Sequence, residues 1–169
     1  MTETIRIRPA RTDDVAAIKT LVAPLADQRI LMAKETVAYY ESLQEFRIAE
    51  SAEGDVIGCG ALHVMWEDLA EVRTLATSDA WRGKGIGHLL VESLLEEARA
   101  LGVSRVFCLT FEVDFFKRHG FEVMADQTAV DPAVYSELLR SHDEGVAEFL
   151  DLARVKPNTL GNTRMIRTL

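Results

Sequence analysis

Three glycines within five residues, Gly83, Gly85 and Gly87, follow Arg82 and enclose Lys84 and Ile86. They stand where an apolar, strand-like run ending at Thr77 gives way, through a polar turn, to a long amphipathic helix. Glycine lacks a Cβ, so the chain there can take positive φ and lie close to a ligand. A helix that starts in such a loop aims unpaired N–H groups and the positive end of its dipole outward. The chemistry this allows is anion binding, most simply of phosphate. Turn geometry alone also produces glycine-rich loops. No Gly-Lys-Ser/Thr closes this one, and its spacing is not that of the dinucleotide fingerprint.

The elements that must position the loop follow from hydrophobic period and turn residues. Thr4 to Pro9 alternates polar and apolar, a strand. Thr12 reads as an N-cap with acids behind it, opening a helix in which Val15, Ile18, Leu21 and Val22 share a face and which Pro24 ends. Leu25 to Ala33 reads as a short helix and a loop. Glu35 to Leu43 reads as a second helix with Val37, Tyr40 and Leu43 on one face. Three strands joined by short turns come next, Phe46–Glu50, Val56–Trp66 and Leu69–Thr77, an antiparallel meander. The helix from Gly85 to Leu101 turns Ile86, Leu89, Leu90, Leu94, Leu95 and Ala98 inward and stops at Gly102. Val106–Thr110 is short and apolar, as a buried strand is. A short helix over Val113–His119, a strand over Phe121–Ala125, and helices from Asp131 and Val146 follow. A loop over Pro157–Asn162 and a closing strand over Arg164–Thr168 complete the chain. This order predicts one mixed α/β domain over residues 1–169.

Bulk properties narrow the function. The chain has 169 residues, 48% of them hydrophobic, and a formal net charge of −8. An acidic chain is not a general nucleic-acid binder. No apolar run approaches the roughly 20 residues that span a bilayer, and the polar start shows no signal peptide. A cytoplasmic protein without nucleic-acid or membrane partners is expected. Two cysteines, Cys59 and Cys108, make neither a disulfide framework nor a cysteine-based zinc site. The four histidines lack ligand spacing, so no metal is expected. Both cysteines sit in apolar runs without a basic neighbour, which favours buried free thiols over acyl carriers.

The Arg-x-x-Gly-x-Gly spacing of Arg82, Gly85 and Gly87, after a strand and into a helix, resembles the acetyl-coenzyme A pyrophosphate loop of the GCN5-related N-acetyltransferases, the GNAT family. The element order is the family's order. Phe115-Phe116-Lys117-Arg118-His119-Gly120-Phe121 looks like its Phe-Tyr-x-x-x-Gly-Phe segment. The resemblance implies an α/β (α+β) GNAT fold: a mixed central sheet, antiparallel at its N-terminal strands, splayed between the fourth and fifth, with helices on both faces. Within the family, Pro24-Leu25, Arg29-Ile30-Leu31, Lys34, Gly58–Leu62, Glu71–Ala76 and Lys156–Met165 look like amino-acid N-acetyltransferases of the N-acetylglutamate synthase type, in a short, single-domain form.

That resemblance implies acetyl-CoA as cosubstrate, L-glutamate as acceptor, and direct attack of the amine on the thioester. Arg82, Gly83, Lys84, Gly85, Ile86 and Gly87 would face the pyrophosphate, with Lys84 a solvated charge beside it. Leu75, Ala76 and Thr77 would hold the pantetheine through their main chains, and amides near Leu75 would stabilise the oxyanion at a bulge. Glu71 would be the general base, through water. Arg73 and Lys34 first, and Arg29 and Thr74 after them, would bind the acceptor. Phe116 stands where many relatives carry a tyrosine that protonates the leaving thiolate, so it would pack against coenzyme A or the core. Thr110 is the nearest hydroxyl; bound water or simple thiolate release would serve as well. Another amino acid, a polyamine or a protein N-terminus are alternative acceptors, and a non-catalytic acyl-CoA or amino-acid sensor is the alternative of another class. Homodimers are common for this fold.

Overall fold

The computed structural model describes residues 3–31, 34–125 and 130–169. Its strands are β1 (Arg6–Pro9), β2 (Phe46–Glu50), β3 (Val56–Trp66), β4 (Leu69–Thr77), β5 (Arg105–Thr110), β6 (Glu122–Val123) and β7 (Thr163–Thr168). They form a mixed seven-stranded sheet in the order β1-β2-β3-β4-β5-β7-β6. The helices are α1 (Val15–Asp27), α2 (Thr36–Glu41), α3 (Ile86–Leu101), α4 (Val113–Lys117), α5 (Pro132–Leu138), α6 (Glu144–Phe149) and α7 (Lys156–Thr159). The mixed α/β order is the one the sequence implied, and the strands of the central meander begin and end at the residues named above. The chain forms two compact units: residues up to His63 together with Val72–Ala98, and Val64–Glu71 together with Arg99–Leu169.

In the first unit β1 and β3 both pair antiparallel with β2. Strand alternation sends successive side chains to opposite faces. Phe46, Ile48, Cys59, Ala61 and Ala76 pack with Val15, Ile18 and Val22 of α1 and Tyr39 of α2. Ala49 and Ile57 pack on the other side with Ile86 and Leu90 of α3. Helices thus cover both faces here. Gly58 sets how closely α3 approaches: a Cβ there would lie 2.7 Å from Ile86 Cγ2 and 3.1 Å from Leu90 Cδ1. The start of the unit is pinned by charge. Arg8 reaches both carboxylate oxygens of Asp14 at 2.7 and 2.9 Å and Glu50 at 2.6 Å.

Details of this unit differ from the sequence-based expectation. Asp14, not Thr12, receives the backbone at the first helical entrance, accepting the Arg11 N–H at 2.7 Å; Thr12–Asp14 is a 3-10 turn before α1. Pro24 does not end α1, which runs to Asp27. One lost backbone hydrogen bond is outweighed there by packing of Leu21, Val22 and Leu25 against the core. In α2 the inward residue is Tyr39, while Val37 and Tyr40 are exposed. In α3 Leu89 is exposed and Val91 is buried instead, because the core-facing stripe takes the Ile86, Leu90, Leu94 and Ala98 row with its Val91 and Leu95 neighbours.

In the second unit β4 pairs parallel with β5 from Leu69↔Arg105 to Glu71↔Phe107, while β5 pairs antiparallel with β7 as far as Thr110↔Thr163. This fits the expected splay of the fourth and fifth strands. Leu69 and Phe107 pack with Leu138 of α5 and Val146 and Phe149 of α6, the Phe107 and Phe149 rings meeting edge-on at 5.4 Å. Asp131 caps α5 by accepting the Ala133 N–H at 2.8 Å. Asp143 caps α6 by accepting from Val146 at 3.1 Å. The Pro157–Asn162 stretch is not all loop: α7 occupies its start. Arg164 of β7 donates to the Glu148 and Phe149 carbonyls at the end of α6.

Candidate active site

The glycine-rich loop lies wholly in the first unit. It begins with a 3-10 turn, Asp79–Trp81, after Ser78 donates its N–H to the Ile57 carbonyl at 2.9 Å. Gly83 and Gly85 take φ of 76° and 81°. No heavy atom lies within 4 Å of where their Cβ atoms would be. Glycine is therefore required by backbone conformation, and the loop presents an open face. Gly87, inside α3, is not among the positive-φ glycines. The Gly85 carbonyl accepts from Leu89 at 3.2 Å and so starts the helical ladder. The N–H groups of the first turn have no carbonyl four residues back to receive them and point out of the helix end. Ile86, the first residue of α3, is buried against Ala49 and Ile57, so only its main chain can face the open side.

Charge surrounds that face unevenly. Arg82 is exposed and lies 3.1 Å from the Asp79 carboxylate. Lys84 pairs with Glu3 at 2.9 Å and stands 4.5 Å above the Trp81 ring. Trp81 and Glu3 were not singled out by sequence. The only signal for them is a tryptophan three residues before a lysine in a loop, which many loops share.

Strand β4 carries the next group of residues in order. Arg73 is half-buried; Thr74 is buried; Leu75 and Thr77 are half-buried on either side of buried Ala76. Thr74 has φ 56°. A β-branched residue in the left-handed region carries strain of about 1–3 kcal/mol, and here it breaks the strand's regular path beside Leu75. Nothing in the residue types announces this, since threonine is a residue that avoids positive φ.

Two expected acceptor residues lie after α1. Arg29 is exposed with φ 58°. Its N–H donates to Ala26 at 3.0 Å, and the Ile30 N–H donates to Leu25 at 2.8 Å, the pattern in which glycine usually ends a helix. Lys34 is exposed just before α2. Residues 32 and 33, at the end of the stretch read as helix and loop, lie outside the described residues.

The second unit holds Glu71, Thr110 and Phe116. Glu71 is buried, 4% exposed, in the last pair that β4 makes with β5. Its charge is felt on β5: the Cys108 thiol is pushed up by burial and, after that, by Glu71. Thr110, three residues beyond Phe107, is buried, and its Oγ1 accepts the Glu112 N–H at 2.8 Å. Phe116 is 5% exposed and sits edge-on to Phe115 at 5.1 Å and to Phe121 at 5.2 Å. It is part of the aromatic core of this unit. Among the described residues no group of three His, Cys, Asp or Glu side chains could hold a metal ion.

Residues 19–121 match the model of the acetyltransferase (GNAT) family. The chain is 54% identical over 165 residues to an amino-acid acetyltransferase of Mycobacterium tuberculosis, covering 96% of this chain and 94% of that one. It is 32% identical over 124 residues to an amino-acid acetyltransferase of Neisseria meningitidis, of which it spans 28%. Among solved structures, Rv2747 of M. tuberculosis in complex with CoA and NLQ superposes with a TM-score of 0.92 at 54% identity, covering 97% of this chain and 99% of that one. The N-acetylglutamate synthase of Neisseria gonorrhoeae, complexed with coenzyme A and N-acetyl-glutamate, shares the fold with a TM-score of 0.76 at 24% identity, covering 98% of this chain and 35% of that one. With the loop, the left-handed residue in the fourth strand and the sheet order already in place, these matches make the chain a member of the GNAT family of acetyltransferases.

Proposed function

We propose that the chain is an acetyl-CoA-dependent amino-acid N-acetyltransferase whose acceptor is L-glutamate. The observation that carries the reading is β4 itself. One strand presents a half-buried Arg73, a left-handed Thr74 and the main chain of Leu75 to Thr77, and then runs into the open Arg82–Gly87 loop. The near-full-length likeness to an amino-acid acetyltransferase of M. tuberculosis supports the acceptor class.

The chemistry follows from these placements. The loop amides and Arg82 hold the pyrophosphate, and the Leu75 and Thr77 main chains hold the pantetheine. The acceptor nitrogen attacks the thioester carbon; the C–N bond forms, and negative charge develops on the carbonyl oxygen. The Leu75 N–H donates to that oxyanion, an interaction stronger in the transition state than in the ground state. Glu71 takes the amine proton through water. Collapse breaks the C–S bond, and the thiolate departs, taking its proton from the Thr110 hydroxyl or from solvent. Arg73 offers a planar fork for an acceptor carboxylate, with Lys34 and Arg29 supplying further positive charge.

The test is coenzyme A release from acetyl-CoA with a panel of amino acids and amines. Turnover with glutamate is expected, with Arg73→Ala raising the KM for glutamate by about tenfold or more, as loss of a charge-assisted pair does, and leaving that for acetyl-CoA within about twofold. Turnover with a different acceptor overturns the glutamate assignment. Binding of acetyl-CoA without turnover on any acceptor makes the protein a sensor. Arg29 has a separate test. Arg29→Gly relieves a left-handed arginine, so a rise in Tm of about 2–4 °C is expected, together with a higher glutamate KM. A higher Tm with an unchanged KM removes Arg29 from the acceptor site.

A further inference from the structure

Cys59 has no place in the chemistry above, yet it touches the strand that carries it. It is fully buried on β3, among Ile18, Tyr39 and Ala76. Its Sγ donates to the Thr74 carbonyl at 3.5 Å, a normal length for sulfur. The Ala76 N–H is directed at the same sulfur. One thiol therefore takes the carbonyl before Leu75 and the amide after it.

Peptide planarity turns this into a statement about Leu75. In a trans peptide the C=O of one residue and the N–H of the next point in opposite directions. With the Thr74 C=O turned to Cys59, the Leu75 N–H must point away from it. With the Ala76 N–H turned to Cys59, the Leu75 C=O must point away as well. The left-handed φ of Thr74, 56°, is the local conformation that permits this, and a β-branched residue does not hold it unaided. On the side away from Cys59, the Leu75 side chain packs close to Gly60, whose Cβ would lie 3.1 Å from Leu75 Cδ1. We infer that Cys59 is a positioning residue for acetyl transfer: its S–H anchors the strained Thr74 peptide and so aims the Leu75 N–H at the thioester oxygen. This rests on the oxyanion role proposed for Leu75.

Chemistry supports a donor rather than a nucleophile. Burial pushes the Cys59 thiol up to about 12, so the proton that bonds Thr74 stays in place at every pH the enzyme would meet. A buried, protonated thiol already used by two backbone groups has no part in covalent acyl transfer.

The test compares Cys59→Ala, Cys59→Ser and Val22→Ala, the last a larger loss of volume from the same core cluster on α1. Two readouts are taken: steady-state kinetics, and the backbone amide resonances of Leu75 and Ala76 in the coenzyme A complex. Cys59→Ala is expected to shift both resonances and to lower kcat by about tenfold or more, with the acceptor KM within about twofold, since the misplaced donor acts only in the transition state. Cys59→Ser keeps a donor and is expected to recover most of kcat and the wild-type resonances. Val22→Ala is expected to lower Tm with neither effect. Unshifted resonances in Cys59→Ala, or a serine variant as slow as the alanine one, overturn the positioning role. Shifted resonances with unchanged kcat overturn the oxyanion role of Leu75, and the catalytic inference with it. Absence of turnover in the wild type is a failure of the functional reading, whereas the resonances still report whether Cys59 holds the peptide.

Discussion

Glu71→Gln is expected to lower kcat at neutral pH by about 10²-fold or more, the span that a positioned general base contributes, while the KM for acetyl-CoA changes little. Glutamine keeps the size and one carbonyl oxygen but cannot take a proton. Glu71 suits the role by position. It is the last β4 residue paired with β5, it is 4% exposed, and its charge reaches the neighbouring Cys108 thiol. The amine must reach the thioester neutral, so the defect should shrink as pH rises and the acceptor loses its proton to solvent instead. The measurement is kcat against pH for both proteins, with thermal melts alongside to show that the variant is folded. A rate equal to wild type at both neutral and high pH removes Glu71 from the reaction and leaves Arg73 and the backbone amides as the working parts of β4.

Most of what positions these groups was legible because it rests on period and turn chemistry. The strands Phe46–Glu50, Val56–Trp66 and Leu69–Thr77 have the ends expected of them, since alternation fixes a strand and residues such as Gly54, with φ 90° at a turn tip, fix its limits. The loop was legible for the same reason: Gly83 and Gly85 occupy positive φ, where glycine is the residue of low cost. What sequence could not supply was decided by packing. Tyr39 rather than Tyr40 turns inward because α2 is short and its orientation is set by what it meets, including the ring of Phe46 at 6.1 Å. The Thr74 conformation was hidden because it opposes the residue's own preference and is held by a thiol 15 positions away in sequence. The candidate site thus divides. Its anion loop could be read directly from residue types, whereas the aim of the Leu75 amide depends on a tertiary hydrogen bond that no local pattern records.

Asp14→Asn is expected to cost about 3–5 kcal/mol at neutral pH, the usual consequence of removing one partner from a buried ion pair. For a chain of this size that is a fall in Tm of roughly 6–20 °C, a large part of a total stability of about 5–15 kcal/mol. Asparagine can still accept the Arg11 N–H, so the loss isolates the charge. Arg8, at 7% exposed, would be left facing Glu50 alone. The same network sets the acid limit of the fold. The Arg8 hydrogen bond holds the Asp14 carboxyl below its ordinary range, and holds Glu50 down as well. A carboxylate depressed in the folded state stabilises it fully above the unfolded pKa, about 3.9 for aspartate. That stability is lost as pH falls through the lower folded value. Wild type should therefore lose stability below about pH 4, and its advantage over Asp14→Asn should narrow over the same interval. Urea unfolding at pH 7, 5, 4 and 3 reads this directly. A wild-type advantage that stays constant down to pH 3 would show that the Asp14 charge contributes nothing, and that Arg8 is held by Glu50 and the backbone without it.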